Sequence, residues 1–302
     1  QEDRMNNEEL TRSIISLNQL TGLNRNQART VFDGVPDFSK IGYFDLLTEA
    51  VRNNQLRRSQ PIGDFVDAGE YADSVLFRCG NEQISIVNCY SDEYPEAMRF
   101  EDHPLVIYCR GDLSILSNPK RAAVIGTRNP DKNGVDFAYK SGMTLAENGY
   151  TVISGLAQGC DTAAHNGCLA AGGKTVAFVP SNISKIVPKQ NIGLAQRIVD
   201  SGGLLVSEFS PFQIPNAEMY IARDRLQAGC SNFVITSEFD ANSGTIQTLT
   251  YASGFGKPIY TLEALTAGTD FNGLQAARKE KIRIKPVTWE QLNEIIVSGR
   301  TE

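Results

Sequence analysis

The middle of the chain alternates short apolar runs with longer amphipathic segments. The apolar runs are nearly continuous over five or six residues, which is typical of strands buried on both faces of a parallel sheet. The segments between them have apolar residues at helical spacing and end near glycine or polar turns. Strands are predicted at 122–126, 151–155, 175–179, 204–209, 233–237 and 258–262, and helices at 133–148, 161–171, 192–200, 217–228 and 245–255.

Six strands that alternate with five helices predict an α/β fold, a doubly wound and mostly parallel sheet. In such a sheet, ligands bind beyond the carboxyl ends of the strands, at the point where the strand order reverses. The residues that directly follow the strands are therefore the candidates for a functional site.

The flanking parts of the chain have weaker patterns. Apolar residues recur at helical spacing in 10–17 and again in 46–56, which predicts short helices. Between residues 60 and 119 the pattern loosens into short strand-like runs such as 83–87 and 105–109. We therefore divide the chain into an N-terminal helical region, 1–60, a sheet-containing core, 61–265, and a short C-terminal segment, 266–302.

Charge narrows the class of function. The net charge of −6 argues against a protein that coats nucleic acid with its whole surface. Residues 1–118 carry eleven basic and nineteen acidic side chains, whereas residues 119–265 carry twelve and eleven, so a local basic site in the middle stays open. No stretch approaches the roughly 20 apolar residues of a membrane span. No secretion signal is seen at the start, and we expect a cytoplasmic protein.

The six cysteines lack C-x-x-C spacing, and we expect reduced packing residues rather than disulfides. The best candidate metal cluster is Cys160, His165 and Cys168, which has neither a fourth ligand nor zinc-site spacing. The sequence therefore predicts neither a metal nor another cofactor.

The turns after the first two strands have residues suited to an anion. After the first strand, Thr127 offers a hydroxyl and Arg128 a planar guanidinium that fits a phosphate. After the second, Ser154 and Gly155 begin a thin turn whose backbone N–H groups and following helix could accept an anion. Equally, such glycine turns are common strand–helix connections, with Asp161 as an ordinary N-cap.

Later loops add further cations. Lys189 stands just before a predicted helix, and Arg223 and Arg225 lie close to Tyr220. The segment 243–245 opens another helix, again a geometry that accepts anions. A single surface cation is usually only solvated. Several phosphate-compatible loops at different strand ends nevertheless favour a phosphate-binding site.

Five ordered blocks resemble the signatures of the DNA-processing protein A (DprA/Smf) family. They are GTR at 126–128, SGLAQGCDTAAH at 154–165, SEF at 207–209, RDR at 223–225 and SGT at 243–245. Pro188 and Asn191 also match a Y-P-x-x-N element of that family. The ordered resemblance covers 121–262 well, and the preceding residues from about 90 more loosely.

The resemblance implies an extended Rossmann-like domain that forms a homodimer. Such a domain binds single-stranded DNA in a basic pocket and delivers it to a RecA-type recombinase in DNA uptake. It implies no reaction, so Asp161 and His165, four residues apart on one helix, are expected to be a structural pair. The implied DNA- and phosphate-binding residues are Gly126, Thr127, Arg128, Ser154, Gly155, Lys189, Arg223, Arg225, Ser243 and Gly244.

Four positions depart from the family pattern. Tyr220 and Ile221 replace a phenylalanine and a proline, and Val187 replaces a tyrosine that could stack on a base. Asp224 replaces an asparagine. Its carboxylate either repels DNA or pairs with one of the two arginines beside it.

Two other functions stay open. A Rossmann-like domain of this kind can instead sense a nucleotide or a similar small molecule. A nucleotide N-glycoside hydrolase is the third hypothesis, but Thr248 stands where its P-G-G-x-G-T-x-x-E motif requires glutamate. A nucleophilic triad built on Ser154 would lack the G-x-S-x-G elbow.

Overall fold

The computed structural model describes residues 6–19, 25–35, 37–38, 41–42, 45–46, 62–266 and 272–300. The described strands are β1 (Ser85–Asn88), β2 (Val106–Gly111), β3 (Arg121–Ile125), β4 (Thr151–Ser154), β5 (Thr175–Phe178), β6 (Leu204–Ser207), β7 (Phe233–Thr236), β8 (Ile259–Leu262) and β9 (Lys285–Val287). The described helices are α1 (Asn7–Gln19), α2 (Arg25–Asp33), α3 (Ile62–Asn81), α4 (Lys132–Glu147), α5 (Cys160–Ala170), α6 (Ile192–Asp200), α7 (Ala217–Cys230), α8 (Thr245–Gly254), α9 (Glu263–Thr266), α10 (Asn272–Lys279) and α11 (Trp289–Ser298).

The nine strands form one sheet in the order β1-β2-β6-β5-β4-β3-β7-β8-β9. The seven strands from β6 to β9 in that order pair in parallel, and β2 and β1 extend the β6 edge in antiparallel orientation. This confirms the predicted doubly wound, mostly parallel sheet. The six predicted strands and five predicted helices are all present, with ends within two residues of the prediction.

Alternate residues of the central strands face two separate cores, as the two-residue period of a strand requires. Ala122 and Val124 of β3 pack with α4, α5 and α11 on one face of the sheet. Ala123 and Ile125 belong to the larger core on the other face, which includes α7 and α8. Burial on both faces explains why this strand reads as an uninterrupted apolar run.

The N-terminal helices cover the antiparallel edge. Helix α1 forms as predicted. It packs against α3, where Arg12 and Asp73 form an ion pair of 2.6 Å. It also packs against β1, where Asn88 Nδ2 donates to Thr11 Oγ1 at 2.9 Å. Of the predicted helical segment 46–56, only residue 46 lies in the part of the chain that the structure describes.

Several elements were not predicted, among them helix α3, strand β9 and helix α11. Helix α3 replaces the irregular structure expected after residue 60. Its buried stripe is Ala68, Ala72, Val75 and Cys79, whereas the apolar Val66 and Phe77 are exposed. Strand β9 pairs with β8 and, with helix α11, makes the C-terminal segment part of the sheet domain. In the described part of the chain, no helix is long and apolar enough to cross a membrane.

The strand order reverses at β3. The chain leaves β3 towards β4, β5 and β6, and then crosses back to place β7 on the other side of β3. The carboxyl ends of β3 and β7 therefore frame the crevice in which doubly wound folds bind ligands.

Candidate functional site

A cleft of about 660 Å³ opens at the carboxyl ends of β3 and β7. Four parts of the chain line it: the turn after β3, the turn after β4 with the start of α5, one side of α7, and the loop that joins β7 to α8 with the first turn of α8. Of the ten residues predicted for DNA and phosphate, six line this cleft: Gly126, Thr127, Arg128, Arg223, Ser243 and Gly244. Gly155, Ser154, Lys189 and Arg225 do not.

The turn after β3 is held against the β7–α8 loop. The backbone N–H of Thr127 donates to the Glu238 carbonyl oxygen at 2.6 Å. A Cβ at position 126 would lie 2.5 Å from Cys160 Sγ and 2.9 Å from that same carbonyl oxygen. Only glycine therefore allows this turn to approach the loop so closely, which fixes the direction in which the next residues leave the strand.

Arg128 is the exposed cation of the cleft. Its guanidinium lies over the Tyr220 ring, with Cζ 5.2 Å from the ring centroid. Within the described part of the chain it makes no hydrogen bond or ion pair, so its five N–H donors are available to a ligand. The cation–π contact holds the guanidinium in the cleft without using those donors.

Arg223, in contrast, is buried and bound within the protein. Its Nε donates to Asp224 Oδ1 at 3.0 Å, and its Nη1 donates to the carbonyl oxygens of Gly155 and of Phe178, the latter at 2.9 Å. A Cβ at position 155 would overlap this guanidinium. Gly155 is therefore needed to make room for Arg223, and not for a phosphate.

The turn after β4 is occupied by the carboxylate of Asp161. Its Oδ2 accepts from the backbone N–H groups of Gly155 at 3.1 Å and Ala157 at 3.3 Å. Burial raises the pKa of Asp161, and the Arg223 guanidinium and these donors oppose the rise. The anion expected at this turn is thus the protein's own carboxylate. Ser154 points into the sheet, where its Oγ donates to the Val124 carbonyl oxygen at 2.7 Å.

His165 does not pair with Asp161, although the two residues are one helical turn apart. Its Nδ1 lies 2.7 Å from Thr175 Oγ1, and that hydroxyl donates its only proton to the Val152 carbonyl oxygen. Nδ1 must therefore be the protonated nitrogen. Burial lowers the pKa of His165 to about 3, which leaves the ring neutral.

The last two predicted cations also lie away from the cleft. Arg225 is 1% exposed and forms a bidentate ion pair with Glu208, with both nitrogen–oxygen distances at 2.8 Å. Lys189 is exposed in the turn before α6, where it lines a separate groove with Lys185 and Arg110. The cleft is consequently less basic than the sequence suggested.

Asp224 lies at the floor of the cleft and is 8% exposed. It pairs with Arg223, one of the two outcomes that its sequence position left open. Burial raises the pKa of Asp224 to about 6; the Arg223 guanidinium lowers it and the nearby Asp161 carboxylate raises it. Asp224 therefore carries its charge at neutral pH at an energetic cost.

The chain resembles known proteins over most of its sheet domain. The family profile described as DNA recombination-mediator protein A matches residues 85–295. Among curated proteins, DNA processing protein DprA of Streptococcus pneumoniae is 34% identical over 172 residues, 57% of this chain and 60% of the relative. Protein Smf of Synechocystis sp. is 32% identical over 174 residues, which are 56% of this chain and 44% of the relative. The matches thus span about half the length of these relatives.

Solved structures extend the likeness. The X-ray structure of DprA from Streptococcus pneumoniae superposes with a TM-score of 0.78 at 27% identity and covers 99% of both chains. DNA processing protein A from Helicobacter pylori, whose structure is described for its single-stranded DNA binding mode, gives a TM-score of 0.63 at 25% identity. That match covers 72% of this chain and 97% of the other.

Proposed function

The chain belongs to the DNA recombination-mediator protein A family, as its sequence blocks indicated, and we propose on that premise that it binds single-stranded DNA in the β3–β7 cleft. The bound strand would be protected there and passed to a RecA-type recombinase. The protein would act as a homodimer in the cytoplasm. These proposed roles are the ones that the family resemblance implies.

The observation that carries this proposal is the Arg128–Tyr220 pair. An exposed guanidinium that forms no hydrogen bond or ion pair with the described residues can bind a phosphate bidentately, while an aromatic ring beside it offers a surface on which a base can stack. Cationic grooves with aromatic rings are how proteins bind single strands without strong dependence on sequence.

We propose a binding protein rather than an enzyme. The hydroxyl of Ser154, the carboxylate of Asp161 and the imidazole of His165 each hydrogen-bond to partners outside this trio. Ser154 donates its hydroxyl proton to the Val124 carbonyl oxygen, and the neutral, buried ring of His165 is unsuited to accept that proton.

Replacement of Arg128 tests the proposal. We expect wild-type protein to bind oligo-dT in the micromolar range or tighter at low salt, and Arg128→Ala to weaken binding about tenfold or more, since a charge-assisted pair is lost. Fluorescence anisotropy of a labelled oligonucleotide measures both.

Lys120→Ala is the matched control. Lys120 is also an exposed cation over a tyrosine ring, with Nζ 5.4 Å from the Tyr150 centroid. It directly precedes β3, however, and so lies at the amino end of that strand, whereas the cleft lies at the carboxyl end. Its loss removes the same charge and should leave affinity nearly unchanged. Absence of oligonucleotide binding, together with a nucleotide that co-purifies with the protein, would instead favour the small-molecule sensor.

A further inference from the structure

Charge is distributed unevenly between the rim and the floor of the cleft. Arg128 stands exposed at the rim, whereas the single cation of the floor, Arg223, is already paired with Asp224. Asp161 and Asp240 also line the cleft, so its carboxylates outnumber its two arginines. A phosphate is therefore favoured beside Arg128 and disfavoured at the floor, where it would meet desolvated negative charge.

The floor instead offers an acceptor. Asp224 Oδ1 accepts one hydrogen bond, from Arg223 Nε, and the carboxylate accepts no other from the residues that the structure describes. An ionised carboxylate has about four acceptor positions on its two oxygens. Because Asp224 is 8% exposed and lines the cleft, its remaining acceptor positions can be used by water or by a ligand donor that enters from the cleft.

The neighbouring walls suit a flat, partly apolar group. Tyr220 and Ile221 on α7 and Ile246 on α8 line the cleft next to Asp224, and Ile221 is 45% exposed. A nucleobase has the matching combination of flat apolar faces and a polar edge. In a single strand that edge is free to enter a pocket.

We infer that Asp224 reads the exocyclic amino group of a nucleobase inserted edge-first into the cleft, while the adjoining phosphate pairs with Arg128. The inference rests on the proposed binding of single-stranded DNA and gives it a base preference. Cytosine presents an N4 amino donor on its edge, and carboxylates accept from this group in protein–DNA complexes. Thymine presents a carbonyl oxygen at the same position, which the carboxylate repels. The cleft therefore prefers cytosine to thymine.

The test compares oligo-dC with oligo-dT of equal length at low salt near pH 7.5, by anisotropy, on the whole chain. We expect oligo-dC to bind about tenfold tighter, the range that one hydrogen bond to a charged group provides. In Asp224→Asn the ratio of the affinities for oligo-dC and oligo-dT should fall towards one, because a carboxamide can donate to thymine as well as accept from cytosine.

Asp240→Asn is the matched protein control. It removes an equal charge from an exposed carboxylate on the same cleft, so it should strengthen binding of both oligonucleotides while keeping their ratio. A ligand-side measurement leaves the protein untouched: an oligomer of 2-pyrimidinone deoxynucleotides, in which hydrogen replaces the cytosine amino group, should bind wild-type protein more weakly than oligo-dC.

The outcomes separate this inference from the function on which it rests. Equal binding of oligo-dC and oligo-dT by wild-type protein, or a preference that survives in Asp224→Asn, overturns the role of Asp224 and leaves DNA binding intact. If no oligonucleotide binds at low salt, both fail.

Discussion

Arg128 and Arg225 carry the same guanidinium in opposite surroundings. Arg128 is exposed and rests on Tyr220, whereas Arg225 is 1% exposed and held by Glu208. An exposed cation can reorient towards a ligand at little cost in free energy. Withdrawing Arg225 from Glu208 would break a buried ion pair, which typically costs about 3–5 kcal/mol. Of these two arginines, Arg128 is the one available to DNA.

Asp224 should make stability depend on pH. Its folded pKa of about 6 lies above its usual 3.8, so the folded state holds the proton more tightly, and stability falls as pH rises between these values. The rise corresponds to a penalty on the order of 3 kcal/mol at neutral pH. Asp224→Asn should therefore increase the free energy of unfolding at pH 7.5 and change it little near pH 4, as measured by urea denaturation.

Asp240→Asn again serves as the control, since exposed substitutions usually change stability by less than about 0.5 kcal/mol. If Asp224→Asn lowers stability at pH 7.5, the ion pair with Arg223 outweighs the cost of burial, and the charged form of Asp224 is favoured in the folded protein.

At the scale of elements, α4 and α5 cross at two glycines. A Cβ on Gly142 of α4 would overlap the Ala164 carbonyl oxygen, and one on Gly167 of α5 would overlap the Tyr139 carbonyl oxygen. The helices therefore touch backbone to backbone. Helix α5 follows the turn that Asp161 occupies, so this contact also fixes the base of the site.

Gly167→Ala should consequently destabilise the fold by about 1–3 kcal/mol, the usual cost of overpacking a core. Gly193→Ala is the counterpart in α6, where an added Cβ meets nothing within 4 Å. It should be neutral or stabilise by up to about 1 kcal/mol through helix propensity. Thermal unfolding of both variants measures the difference; equal effects would contradict the close crossing.

Most of the elements were predictable because their signals are local. An uninterrupted run such as that of β3 can be recognised within a few residues, and so can the helices that alternate with the strands. Helix α3 was missed because the apolar Val66 and Phe77 lie on its exposed side and blur the helical spacing of its buried residues, and β9 because only Val287 of its three residues is buried. Strand β9 forms through pairing with β8, which no local pattern reveals.

At the scale of the whole molecule, the site was only partly predictable, because its contacts join residues that are far apart in the sequence. Arg128 and Tyr220 meet across ninety-two residues of chain, and Arg225 finds Glu208 on another segment. The arginines in the block at 223–225 looked equally available in the sequence, yet both are used inside the protein. Among the described residues that line the cleft, Arg128 is therefore the exposed cation that can meet a strand.

The most direct test of this account is the salt dependence of oligo-dT binding. For single strands, the logarithm of the binding constant falls with log salt by about 0.7 for each phosphate contacted. We predict that Arg128→Ala has a slope shallower than wild type by about 0.7, and that Lys120→Ala keeps the wild-type slope. Identical slopes for wild type and Arg128→Ala would show that Arg128 contacts no phosphate, and would contradict the proposed binding of DNA in this cleft.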